Sequence, residues 1–343
     1  MTNTPCNLIN ENTNQCYLQE KIKEKGITII EPFFIEKDTR KLRFESTKKF
    51  RDEQFKRICK TFGISDNDET LAKHRFESAA SGRELREINQ LNSSALLAFL
   101  CFHKVSDDFP ILINEEKYTD VLFEITSNLQ SYGRSTPRSN VDVVLLNKTN
   151  ALFLESKFSE YLTPRPYKVK PYYRDSQAYN NLFDKTIKWD ARTSSHEKFI
   201  IEFDQDSCLW KSSKPVYLEG IKQMICHYLG ISNQLELYKN NQQLCKGWKR
   251  HGLGDRNIKL GEIVFKFHTK ECTVAAFDFY SAAYKGLCEK IKNKTEEIKN
   301  KTNDDKPKPT ILDNLLTYQE VFGDSRNSKL LTDATKQFYR LNQ

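Results

Sequence analysis

What the chain lacks narrows its class before any motif is read. Its longest apolar run is the short stretch ALLAFLCF at residues 95–102, well below the roughly 20 residues that cross a bilayer as a helix. The opening segment (MTNTPCNLINENTNQCYLQE) has no basic start followed by an apolar stretch, the pattern of a secretory signal, so a cytoplasmic protein with no membrane partner is expected. Glycine (12) and proline (10) are both scarce, which excludes collagen-like and linker-like chains. The nine cysteines contain no CxxC pair and the six histidines are dispersed. Neither a disulfide framework nor a zinc ribbon is therefore expected. No Gly-rich phosphate loop or nucleophile motif is visible either, which leaves little support for a small-molecule enzyme.

What is present is enough for a real core. The 343 residues, 38% hydrophobic and 12% aromatic, suit one large or two ordinary domains. The net charge of +8 suits a polyanionic partner without identifying one.

Along the chain, ITIIEPFFI at residues 27–35 reads as extended structure broken by Pro32. Phe50, Phe55, Ile58 and Phe62 recur at helical spacing among lysines and arginines, predicting an amphipathic basic helix over 46–62. Residues 83–102 read as a second helix, with Ser93 and Ser94 marking a cap or break inside it. Three strand candidates follow at 120–126 (DVLFEIT), 141–146 (VDVVLL) and 151–158 (ALFLESKF). The last two flank the Asn-rich turn NKTN and give the best hairpin signal in the chain. Residues 217–230 read as a helix, 258–267 as a strand, 275–301 as a helix, 303–309 (NDDKPKP) as a loop, and the last 34 residues as added helix.

The informative residues are Asp142, Glu155 and Lys157. If the hairpin closes around Lys148 and Thr149, Leu146 pairs with Ala151, and the same register sets Asp142 opposite Glu155. Opposed like charges on neighbouring strands are destabilising on their own, and a bound cation reverses that penalty. Lys157 shares the face of Glu155 by period two. Hard oxygen ligands in small number suit Mg²⁺ completed by substrate phosphates. A lysine beside such an ion can orient or help deprotonate the attacking water and offset transition-state charge. The plain alternative is an exposed hairpin whose outer face carries an ordinary salt bridge, worth about 0–1 kcal/mol. The flanks argue against it: VDVVLL and ALFL are nearly continuous apolar runs, as in strands covered on both faces.

The string SNVDVV…ALFLESKFSEYL at residues 139–162 resembles the core of the PD-(D/E)xK nucleases, in particular a bacterial restriction-endonuclease-like branch. The resemblance implies an α/β fold: a restriction-endonuclease-like αβββαβ core with a mixed central sheet flanked by helices, plus N- and C-terminal additions. It implies that Asp142 and Glu155 bind metal and that Lys157 is the catalytic lysine. The family often has Pro before the Asp, where this chain has Val141, with Pro137 further upstream. Glu84, in SGREL, looks like the acid that the first helix contributes to the metal shell, or else is an exposed first-turn carboxylate. Gln223 resembles the helix glutamine that arranges the site or the substrate backbone in some branches, and His227 lies four residues on, on the same helix face. Glu124 is a weaker candidate that could face the site or solvent. Arg165, Lys168, Lys170, Tyr172, Tyr173 and Arg174, within RPYKVKPYYR, are nucleic-acid-binding candidates: cations neutralise phosphates and tyrosines stack on bases. The alternative for them is a solvated basic loop with its tyrosines packed on the core. KGWKRH at 246–251 is a second basic patch.

The expected organisation is an N-terminal extension (1–80) packed on the core and a candidate for DNA contact, a nuclease core (81–270) and a mainly helical C-terminal extension (271–343). The function expected is Mg²⁺-dependent DNA hydrolysis by a restriction or defence endonuclease, with Mn²⁺ able to substitute, double-stranded DNA as partner and a homodimer as assembly. The competing readings are a repair-type or single-strand nuclease and a nucleic-acid-binding protein with an inactive core.

Overall fold

In the computed structural model, which describes residues 48–65, 93–129, 138–158, 160–162, 201–204, 209–212, 219–267, 271–302, 308–339 and 341, the first helix, α1 (Lys48–Thr61), buries Phe55, Ile58 and Cys59, with Phe62 just beyond its end. Their spacing of three and four residues is the apolar stripe that docks such a helix. Gly63 ends it at φ +66°. Its N–H reaches the Lys60 carbonyl (3.2 Å) and that of Ile64 reaches Cys59 (2.9 Å), the paired bonds that satisfy carbonyls at a helix C-terminus. The extended piece expected at 27–35 lies outside the described residues.

Helix α2 (Ser94–Phe102, SALLAFLCF) is buried from Ala95 to Phe102. Ser93 is a true cap, its Oγ accepting from the Leu96 N–H at 3.1 Å, which satisfies one of the orphan donors of the first turn. Each fully buried leucine or phenylalanine here contributes about 1.5–3 kcal/mol. A small hairpin follows, β1 (Ile111–Ile113) and β2 (Glu116–Tyr118). Its turn residues Asn114 and Glu115 both take positive φ, the geometry of a tight hairpin usually supplied by Asn-Gly; with Glu in the second position the turn left no strong sequence signal.

The central sheet is built from β3 (Asp120–Asn128), β4 (Arg138–Leu146) and β5 (Asn150–Lys157), antiparallel in succession. Leu146 pairs with Ala151, the register expected from the NKTN turn. Asn147 organises that turn by accepting from the Thr149 and Asn150 N–H groups at 3.0 and 2.7 Å. A separate hairpin joins β6 (Ile201–Asp204) to β7 (Leu209–Ser212). Then come α3 (Glu219–Lys239), α4 (Lys246–Arg250) and β8 (Asn257–Val264), which lies parallel to β5.

Helix α3 runs nine residues past Gly230, where the sequence suggested a stop. Gly230 is a packing residue: a Cβ there would stand 2.9 Å from the Ser127 Cβ and 3.5 Å from that of Ser139, so glycine lets the helix approach β3 and β4. In the second basic patch, Trp248 of α4 is fully buried, its ring 5.6 Å from that of Phe153 and its Nε1–H donating to Ser127 Oγ at 3.1 Å.

The long α5 (Glu271–Thr302) precedes β9 (Thr310–Ile311), β10 (Leu316–Thr317), α6 (Tyr318–Gly323) and α7 (Asp333–Tyr339). The C-terminal segment thus adds helix as expected and also two short strands, both parallel to β8. The main sheet runs β10-β8-β5-β4-β3, with β9 also on β8. This is the α/β class and αβββαβ order expected of a restriction-endonuclease-like core: α2, β3, β4, β5, α3, β8. Successive residues of β5 show the two layers. Glu155 bonds to His227 of α3, whereas Ser156 bonds to the Ser94 carbonyl of α2 (3.2 Å) and to Tyr318 (2.7 Å). A strand alternates its faces, so α3 covers one side and α2 with α6 the other. No helix among the described residues is long and apolar enough to cross a membrane.

Candidate active site

The site grows from one row of the sheet. The β4–β5 ladder ends at Val143↔Leu154, so its next row places Asp142 against Glu155. Glu155 in turn pairs with Glu262 of β8. On the other side, β3 pairs Phe123 with Val143 and Ile125 with Val141, which sets Glu124 at the position opposite Asp142. Four strands therefore each contribute an acidic residue to the same row. Like charges so arranged oppose one another, and the structure handles each differently.

Asp142, half-buried, accepts the Ser156 N–H on Oδ2 at 2.7 Å. Glu155 is buried and uses both oxygens: Oε1 receives the Lys157 ammonium at 2.6 Å, and Oε2 faces His227 Nε2 at 2.7 Å. Burial alone would raise the Glu155 carboxyl; the charge of Lys157 and the bonds from His227 outweigh it and hold the group below the usual carboxylate range. Burial alone would lower Lys157. The carboxylates of Glu155, Glu160 and Asp142 outweigh that and hold the ammonium above its ordinary range. Lys157 is therefore a fixed cation at neutral pH.

Glu262 was missed by the sequence reading. It is fully buried, its Oε1 accepts from the Tyr280 hydroxyl of α5, and its Oε2 has no partner among the described residues. Burial pushes its carboxyl up to about 8 against the opposing pull of Lys157 and Tyr280, with Glu155 and Glu160 reinforcing the rise. It is mostly protonated at pH 7. The signal was a single carboxylate inside the apolar run LGEIVFKF, where an unpaired charge would be costly.

Glu124 is buried rather than solvent-facing, and it takes φ 54°, an uncommon conformation for a residue with a side chain. The regular ladder is interrupted there, beside Asp142. Gln223 lies one turn before His227 on α3, with its Oε1 buried and unpartnered among the described residues; no bond joins it to Asp142, Glu155 or Lys157. Glu84 and the segment carrying Arg165, Lys168, Lys170, Tyr172, Tyr173 and Arg174 lie outside the described residues. Among the described residues no group of three or more His, Cys, Asp and Glu side chains has metal-holding geometry. The donor set that is present, two carboxylates on neighbouring strands, still fits a hard divalent cation that keeps several waters, because each Glu155 oxygen retains a lone pair beyond its bond.

A cavity of about 390 Å³ lies elsewhere, between the C-terminal part of α3 and the start of β8. Two of its cations are already engaged: Lys259 pairs with Glu116 at 2.6 Å, and Arg256 donates to the carbonyls of His251 and Gly252 at 2.6 and 2.7 Å.

The mixed sheet flanked by helices agrees with an independent comparison. Residues 12–213 match the family described as Restriction Endonuclease associating with ARP. The chain belongs to that family. The match to this restriction-endonuclease family includes Glu84, Glu124, Ser139, Asp142, Glu155 and Lys157, whereas Gln223, His227 and Glu262 lie beyond it. No curated protein and no solved structure matches the chain.

Proposed function

We propose that this chain is a Mg²⁺-dependent endodeoxyribonuclease of the PD-(D/E)xK type, acting on double-stranded DNA as a restriction or defence enzyme. The observation that carries the reading is the row of Asp142 and Glu155 with the Lys157 ammonium 2.6 Å from Glu155, set in the core of a restriction-endonuclease family. Asp142 and Glu155 would hold the cation, with Glu84 as a third ligand and Mn²⁺ as a substitute. The metal, when bound, lowers the pKa of water and polarises the phosphoryl oxygens.

The chain's own residues do the rest. Lys157, 2.6 Å from Glu155, serves to orient or help deprotonate the attacking water and to offset phosphoryl charge. Hydrolysis adds the water oxygen to phosphorus and breaks a P–O ester bond, and the departing oxygen takes up a proton. Gln223 is proposed to support the site, and the basic stretch 165–174 to neutralise backbone phosphates. A homodimer would supply two sites for the two strands, and ARP, named in the family description, is the proposed companion.

The test is supercoiled plasmid with the purified protein in Mg²⁺, with EDTA, Glu155→Ala and Lys157→Ala controls. Discrete fragments lost in every control are expected. A smear would point to a nonspecific or repair-type nuclease. Absence of cleavage across duplex DNA, single strands and RNA would overturn the proposal in favour of a binding protein.

A further inference from the structure

Glu155 is held by more than its lysine. His227 Nε2 stands 2.7 Å from Glu155 Oε2, and its other ring nitrogen, Nδ1, is hydrogen-bonded to Ser139 Oγ. Ser139, His227 and Glu155 are all buried, at 5%, 2% and 1% exposure. The chain of contacts runs Ser139 (β4), His227 (α3), Glu155 and Lys157 (β5), so three elements meet in one line of hydrogen bonds. The direction of the line follows from chemistry. Glu155 is a carboxylate and can only accept, so Nε2 carries a proton. In the neutral ring Nδ1 is then an acceptor and the Ser139 hydroxyl donates to it; in the charged ring Nδ1–H donates to Ser139 Oγ. Glu155 receives the same bond either way.

The helix is shaped to deliver this ring. His227 lies between Gly220 and Gly230, and both glycines make close approaches: a Cβ on Gly220 would collide with the Tyr280 hydroxyl of α5 and stand 2.9 Å from Glu262 Oε1 of β8, and one on Gly230 would stand 2.9 Å from the Ser127 Cβ of β3. The two close approaches bring α3 onto the strands on either side of His227.

We propose that His227, fixed in ring orientation by Ser139, is a positioning residue that sets the Glu155 carboxylate for divalent-metal binding. The inference rests on the metal-dependent reading above and adds two residues to it, one of them outside the segment the family match covers. A carboxylate that ligates a cation is commonly held by hydrogen bonds from behind, and loss of such a partner typically costs about 10–100-fold in metal affinity or activity. His227 takes one lone pair of Oε2 and leaves the other to a cation, while restricting rotation of the carboxylate about its last side-chain torsion.

The experiment measures Mn²⁺ binding to the full chain by isothermal titration calorimetry, without DNA, alongside thermal unfolding in EDTA. His227→Ala is expected to bind Mn²⁺ about 10–100-fold more weakly than wild type. His227→Gln, whose amide can donate to the same oxygen, should recover part of that loss, and Ser139→Ala should show a smaller loss in the same direction with its unfolding midpoint near wild type. If His227→Ala does not fold, the Gln and Ser139 variants decide: Mn²⁺ affinity within about twofold of wild type in both would overturn the assignment, as would the same result for a folded His227→Ala. Glu155→Gln separates the layers. Wild-type binding that depends on Glu155 but not on His227 removes this inference alone, whereas binding indifferent to Glu155, or no binding, removes the metal reading with it.

Discussion

At the scale of residues, the Glu155–Lys157 pair sits where electrostatics are least forgiving. With both side chains almost fully buried, removal of one partner leaves the other as an uncompensated charge, a change that costs about 3–5 kcal/mol in buried pairs. Glu155→Ala is expected to lose stability on that order in urea unfolding, and the double variant Glu155→Gln/Lys157→Met to recover a good part of it. A single variant as stable as wild type would mean that the pair is not buried together. Glu262 makes a second claim. Its folded pKa is raised from 4.5 to about 8. Below pH 4.5 folded and unfolded chains both keep the proton; between 4.5 and 8 only the unfolded chain releases it, so this group's contribution declines as pH rises and levels off above 8. Glu262→Gln cannot ionise. Relative to that variant, wild type should lose a few kcal/mol, as an order of magnitude, between pH 4.5 and 8, and a pH-independent difference would refute the protonated state.

The same residues show what a sequence carries. Asp142, Glu155 and Lys157 stood out because a four-residue turn fixes their register, a local property. Glu262 did not, because its neighbour Glu155 is 107 positions away and reaches it through a parallel pairing that no turn signals. Ser139 was passed over because a serine on a strand is chemically ordinary until a particular histidine packs against it.

At the scale of elements, α3 depends on glycines that a helix would normally reject. Glycine to alanine inside a helix usually stabilises by about 1 kcal/mol. A Cβ on Gly286 in α5 would meet nothing within 4 Å, so Gly286→Ala should gain about 0.5–1 kcal/mol. Gly220→Ala should do the reverse, since its Cβ would collide with the Tyr280 hydroxyl and fall 2.9 Å from Glu262 Oε1, and either the helix or the tyrosine must move. Paired urea titrations of the two variants test this; a gain at both positions would show that α3 is not pressed against Tyr280. The sequence reading ended this helix at Gly230 because glycine ordinarily marks a C-terminus. Tertiary contact with Ser127 and Ser139 gave the residue another use, visible only once the strands are in place.

At the scale of the whole molecule, the family match and the folding unit do not coincide. The match ends at residue 213, yet β5, which carries Glu155 and Lys157, lies between β4 and β8, and β8 and α3 come later in the chain. The tail is also bound into the core. Asn327 accepts from the Leu112 N–H and donates to its carbonyl, both at 2.8 Å, and Tyr318 bonds to Ser156, the residue between Glu155 and Lys157, at 2.7 Å. A fragment of residues 1–213 would leave β5 as an apolar edge strand with one face uncovered, a template for aggregation. Expressed alone, that fragment is expected to be insoluble, or to lack a cooperative thermal transition and bind a hydrophobic dye, while the full chain melts cooperatively. A fragment that melts like the full chain would mean that α3, β8 and the tail are dispensable to the fold. It would also detach His227 and Glu262 from any part in holding Glu155.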